Sequence, residues 1–127
     1  MVISSKLDSN GFCPIIRNSN FLCAFITPSA AYSFGKVSEM KRHNDTDEVF
    51  VLLEGSAVLI TKDDIKEKCQ VTNLSLGTAY TVKAGTWHYL ALSNNGKVFV
   101  TESGNIDPKN TDVANVSAEN IIIYDEL

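Results

Sequence analysis

Long hydrophobic runs are missing from this chain of 127 residues. No stretch approaches the roughly 20 apolar residues that a membrane helix needs. Residues 1–11 carry Asp8 and several polar groups where a secretory leader would place an apolar segment, so a cytoplasmic protein is expected. Basic charge is also in short supply. Eleven Lys and Arg stand against 15 Asp and Glu, a net charge of −4, and the basic residues are scattered rather than gathered into the stripe a nucleic-acid surface requires. A nucleic-acid or membrane partner is therefore not expected. An acidic small molecule remains possible, because an acidic protein can still bind an anion locally. Cysteine is limited to Cys13, Cys23 and Cys69. An odd number with no Cys-x-x-Cys pair fits reduced, buried thiols better than a disulfide framework.

Long amphipathic helices are scarce too. What the chain has instead is a series of short β-branched and aromatic runs separated by polar turns. Residues 21–27 (FLCAFIT) read as a strand stopped by Pro28. Residues 29–41 read as irregular and polar, with Tyr32 and Phe34 tucking them against the body. Residues 49–53 form a strong strand, Gly55 marks a bend, and residues 57–61 continue beyond it. Residues 62–68 read as a charged, exposed loop and residues 69–74 as a return strand. Residues 80–82 are extended, Gly85 sits in a turn, and residues 88–92 form another strand. Asn94-Asn95-Gly96 predicts a tight turn, with residues 98–101 pairing back as a hairpin. Residues 104–120 are polar and turn-rich, and residues 121–124 are β-prone and suited to an edge strand. The chain length suits one domain. Many short strands with glycine-marked turns predict an all-β barrel or sandwich. Along residues 48–53, Glu48, Phe50 and Leu52 share one face and Val49, Val51 and Leu53 the other. Both faces are largely apolar, so the strand is expected to be covered on both sides, one of them by a further element or a second subunit. That makes a homodimer the expected assembly.

Two segments concentrate chemistry. The first runs from Lys41 through His43 to Glu48, with Gly55 beyond it. The second holds Gly77 and then Lys83-Ala84-Gly85-Thr86-Trp87-His88. His43 and His88 are the only histidines in the chain. Together the two segments resemble the paired motifs of the cupin superfamily: a His-x-His pair followed by Glu and Gly, then a Gly, a Pro-x-Gly and a His. His43, Glu48 and Gly55 match the second His, the Glu and the Gly of the first motif. Gly77, Gly85 and His88 match the second. The sequence is similar to small single-domain cupins, and Gly85-Thr86-Trp87-His88 also resembles a run in ureidoglycolate lyase. The resemblance implies a double-stranded β-helix, or jelly-roll barrel, as one domain over residues 1–127. Its core motifs would lie in residues 35–102, and residues 1–34 and 103–127 would pack on the barrel or dimer.

Two imidazoles and one carboxylate are suitable donors for a divalent transition metal such as Fe, Mn, Ni or Zn, with positions left for substrate or water. His43, Glu48 and His88 are thus the expected metal ligands. Lys41, Tyr80 and Phe50 are the expected substrate-binding residues. Trp87 alternates away from His88 and is expected to serve packing. Asp45, Asp47, Asp63 and Asp64 read as loop carboxylates in solvent. The sequence departs from the motifs at Lys41, which replaces the first histidine, at Lys83, which replaces the proline, and at Leu92, which replaces a final asparagine. Lys41 has three readings: a surface lysine that snorkels to solvent or else pairs with Glu48 in place of the metal, a group that binds an anionic substrate, or a catalytic lysine. The functional expectation is a small polar metabolite, a sugar or a hydroxy or keto acid, handled by isomerase, lyase or decarboxylase chemistry. The alternatives are an iron-dependent dioxygenase and a metal-free metabolite-binding or sensor barrel.

Overall fold

The computed structural model describes residues 1–115 apart from 38 and 66, together with residues 122–123. Twelve strands are present among them: β1 (Phe12–Arg17), β2 (Leu22–Ile26), β3 (Gly35–Lys36), β4 (Glu39–His43), β5 (Glu48–Glu54), β6 (Ala57–Lys62), β7 (Gln70–Asn73), β8 (Ala79–Val82), β9 (Trp87–Leu92), β10 (Lys97–Glu102), β11 (Thr111–Asn115) and β12 (Ile122–Ile123). The helical content among the described residues is one 3-10 turn, Ala30–Tyr32. Two five-stranded sheets run in the orders β1-β2-β10-β5-β8 and β11-β4-β9-β6-β7, and a small third sheet pairs β12 with β3. Every pairing between these strands is antiparallel. The fold is all-β, two sheets closed face to face.

Alternation decides which side chains enter the space between the sheets. Phe50 and Leu52 from β5, Leu90 and Leu92 from β9, Val98 and Val100 from β10, and Ala24 and Ile26 from β2 form one buried cluster there. Fully burying a side chain such as Leu52 contributes about 1.5–3 kcal/mol. A second cluster lies on the outer side of the other sheet. It contains Met40, Val58, Ile60, Trp87 and Ala91, covered by Val37 and Phe34. Trp87 therefore serves packing, with the Arg42 guanidinium 4.5 Å from its ring centroid. Tyr32 and Phe34 do tuck against the body, one on each cluster. Within the single chain the outer face of β5 is only partly covered: Val49 and Val51 are half-buried and Leu53 is 43 % exposed.

Several local expectations are corrected by pairing across the sheets. Residues 29–41 are not irregular throughout. They contain the 3-10 turn, β3 and the first part of β4, because β4 gains partners in β9 and β11. The polar segment 104–120 likewise contributes β11. Lys62 is not in an exposed loop. It ends β6, is buried, and donates from Nζ to the Ile65 carbonyl at 3.2 Å. The Asn94-Asn95-Gly96 turn exists, but it does not close a hairpin. β9 lies in one sheet and β10 in the other. Gly55 does the same between β5 and β6. These two corners are joined by the Ser93 N–H donating to the Ser56 carbonyl and the Ser56 N–H donating to Ser93 Oγ, each at 2.9 Å. The expected terminal strand is present at Ile122–Ile123, and residues 121 and 124 lie outside the described residues.

Candidate metal centre

At the end of the barrel opposite those corners, β4 finishes on His43, β5 begins on Glu48, β9 begins with Trp87-His88 and β10 finishes on Glu102. Backbone contacts hold these ends together. The Gly85 N–H donates to the His43 carbonyl at 2.8 Å, which ties the turn of the second motif to the strand of the first. Asp47 strengthens the tie. It accepts from the Ala84 N–H at 2.8 Å and from Lys83 Nζ at 2.9 Å. Lys83, at the position of the motif proline, thus supplies an ionic link between the two motifs. Asp47 is exposed but not merely solvated.

His43, Glu48 and His88 come together as the sequence predicts, each offering one donor atom within 4.8 Å of the others. Nε2 of His88 lies 3.0 Å from Oε1 of Glu48, and Nε2 of His43 lies 3.7 Å from Oε2. Each ring is also held from behind. His88 Nδ1 contacts the Thr86 carbonyl at 3.1 Å, and His43 Nδ1 contacts Thr111 Oγ1 at 3.0 Å. A carbonyl can only accept, so Nδ1 of His88 carries a proton, and Nε2 is turned to the site. Such backing contacts are what orient histidine ligands toward a metal. Around an ion with bonds of ~2.1 Å, donors lie about 3.4 Å apart in a tetrahedral site and about 3.0 Å (adjacent) or 4.2 Å (opposite) apart in an octahedral one. The spacing and chemistry of the three donors fit a divalent metal.

Charge in this pocket follows from burial and pairing. Burial acts to raise the Glu48 carboxyl, but hydrogen bonds to His88 and Glu102 outweigh it and hold the group below the usual range. Burial acts to lower His88, and its hydrogen bond to Glu48 outweighs that and raises it. His43 is lowered, first by burial, with the neighbouring His88 and Lys41 charges adding to the effect against the pull of Glu48. His43 is therefore the more readily available neutral imidazole.

Glu102 is a residue the sequence reading does not identify. It is buried and its Oε2 lies 3.5 Å from Nε2 of His43. Burial and the adjacent Glu48 push its carboxyl up to about 9. The available signal is the alternation Val98, Val100, Glu102, which puts an acid at the end of an otherwise apolar inward face. It becomes meaningful only once β10 is paired with β5 instead of β9. Tyr32 is likewise more than packing. It lines the same cavity, and burial, then Glu48 and Glu102, push its phenol up to about 12.

The cavity itself encloses about 340 Å³. Phe50 lines it and meets His88 edge-on, with ring centroids 6.1 Å apart. Lys41 lines it from β4, directly across from His88 in the strand register, and is exposed at its edge. No ion pair links Lys41 to Glu48 among the described residues, so the reading in which Lys41 neutralises Glu48 is not what the geometry presents. Tyr80 does not line this cavity. It packs on the apolar cluster, and its hydroxyl accepts from the Ser75 N–H at 2.9 Å.

No protein-family model and no curated protein matches the chain. Solved structures do. A cupin-2 domain protein from Shewanella frigidimarina aligns over 76 % of this chain and 84 % of its own, with 20 % identity and a TM-score of 0.57. The 3,4-ketoisomerase QdtA from Thermoanaerobacterium thermosaccharolyticum, solved with TDP-4-keto-6-deoxyglucose, aligns over 71 % of this chain and 63 % of its own, with 15 % identity and a TM-score of 0.58. Streptomyces Pac13 with uridine aligns over 91 % and 89 %, with 7 % identity and a TM-score of 0.62. The local likeness to ureidoglycolate lyase receives no support from these neighbours. No helix among the described residues is long and apolar enough to cross a membrane. The two closed antiparallel sheets and these neighbours together show that the chain has the cupin fold.

Proposed function

We propose that the chain holds a divalent transition metal between His43, Glu48 and His88 and acts on a small polar metabolite, a sugar or a hydroxy or keto acid, by isomerase, lyase or decarboxylase chemistry. The observation that carries this reading is the convergence of three buried or half-buried donors on one cavity, with both imidazoles braced through Nδ1. A metal bound there would supply Lewis acidity toward a carbonyl or hydroxyl oxygen. The remaining roles belong to the chain. Phe50 excludes water beside His88. Tyr32 keeps its phenolic proton and serves as a hydrogen-bond donor within the cavity. Lys41 offers a cation at the exposed edge, suited to a carboxylate or phosphate of the ligand. The volume of about 340 Å³ suits a metabolite of that size. The enzymes QdtA and Pac13, on the same fold, act on sugar-containing substrates. That agrees with the substrate class without fixing the reaction, since one fold hosts many chemistries.

A second reading has its own support. The 3.0 Å contact between His88 and Glu48 satisfies both groups without a metal, as a metabolite-binding barrel would. Elemental analysis of the purified chain and of His88→Ala separates the two. Stoichiometric metal in the wild type, lost in the variant, is expected. A wild type that stays empty after reloading with Fe(II), Mn(II), Ni(II) and Zn(II) contradicts the metal reading. Oxygen consumption with candidate substrates, expected to be absent, distinguishes the proposed chemistry from an iron-dependent dioxygenase.

A further inference from the structure

We infer that Glu102 is a fourth protein ligand, so that the centre is a two-histidine, two-carboxylate site. This rests on the metal reading given above. The register of β10 on β5 pairs Thr101 with Val49 and Val100 with Phe50, which continues to set Glu102 beside Glu48 on the inward face. The Glu102 side chain is only 4 % exposed. Its Oε2 is fully buried and has no hydrogen-bond partner among the described residues. That atom nevertheless faces Nε2 of His43 at 3.5 Å, close to the spacing of about 3.4 Å between donors around a tetrahedral ion with bonds of about 2.1 Å.

The Glu102 carboxyl is hydrogen-bonded to Glu48, but its Oε2, 3.5 Å from Nε2 of His43, has no hydrogen-bond donor of its own. A buried acceptor without a donor is unfavourable, and a bound cation resolves it. A cation bound there would displace the proton on Glu102, and the two carboxylates would then match the charge of a divalent ion. The strand position that provides a histidine in the motif is Lys41 here, which offers no lone pair while charged. The additional donor comes from β10 instead. Adding a second carboxylate to two imidazoles favours Mn(II) or Fe(II) over softer ions.

The test is Mn(II) titration of the full chain, read by calorimetry and by the water-proton relaxation of the bound ion, for the wild type, Glu102→Gln and Glu102→Asp. Thermal unfolding reports whether each variant is folded. Glu102→Gln keeps the shape and removes the anionic ligand. It is expected to weaken Mn(II) binding about 10- to 100-fold and to raise relaxation per bound ion, because water takes the vacated position. Glu102→Asp, with shorter reach, is expected to fall between the two. Wild-type affinity and relaxation in the Gln variant overturn the role of Glu102 and leave the three-ligand reading standing. A wild type that binds no Mn(II) overturns both. Should the Gln variant fail to fold, the Asp variant decides: weaker binding with higher relaxation supports the inference, and wild-type values overturn it.

Discussion

Asp47 has both carboxylate oxygens committed, one to the Ala84 N–H and one to Lys83. The Lys83 hydrogen bond, first, and the Ala84 N–H, second, hold its carboxyl below the ordinary Asp value of 3.8. A group depressed on folding stabilises the folded state above its unfolded value and loses that effect as pH falls through its folded value. Asp47→Ala is therefore expected to unfold at a lower temperature than the wild type at neutral pH. The difference should narrow below about pH 3.8, and scanning calorimetry across pH 2–7 checks it. A difference independent of pH would assign the effect to something other than this carboxylate. At this scale His43, Glu48 and His88 were readable from the sequence, because both histidines of the chain occupy motif positions. Glu102 and Tyr32 were not, because neither belongs to a motif and each enters the site through a partner strand or a packed turn. Tyr80 is expected at the site as an aromatic on a barrel strand, yet it does not line the cavity. Alternation selects a face but not a depth along the barrel, and Tyr80 lies over Ser75 instead.

Strands were legible from their β-branched runs, but their partners were not. A tight turn such as Asn94-Asn95-Gly96 joins neighbouring strands equally well within one sheet or across a corner between two. Local sequence contains little to separate these cases. Gly55 marks the other corner. Its φ is +68°, and a Cβ there would lie 2.7 Å from Asn95 Oδ1 and 2.8 Å from the Asn95 carbonyl and Ser93 Oγ. Gly77 has a similar φ of +73° but open space around it. Gly77→Ala is expected to cost about 1 kcal/mol from backbone strain alone. Gly55→Ala is expected to cost more, about 2–4 kcal/mol, because the two corners must also separate. Urea unfolding of both variants compares them directly. Equal losses would mean that the contacts at the Gly55 corner yield without cost.

For the whole molecule, the division of labour runs along the barrel axis. One end is closed by the paired corners at Ser56 and Ser93. The other gathers the ends of β4, β5, β9 and β10 around a cavity with two histidines and two buried glutamates. All-β architecture was legible in the sequence from short strands and turn residues, and the motifs gave the jelly roll. The late strand β11 was not, because its residues Thr111–Asn115 are mostly polar and form a strand only against β4. The central claim is that this cavity holds a metal. Anomalous scattering from crystals grown with Mn(II) tests it most directly. The account predicts one strong peak within bonding distance of Nε2 of His43, Nε2 of His88 and the Glu48 carboxylate. A cavity without a peak, with His88 still hydrogen-bonded to Glu48 in the presence of saturating Mn(II), would contradict it.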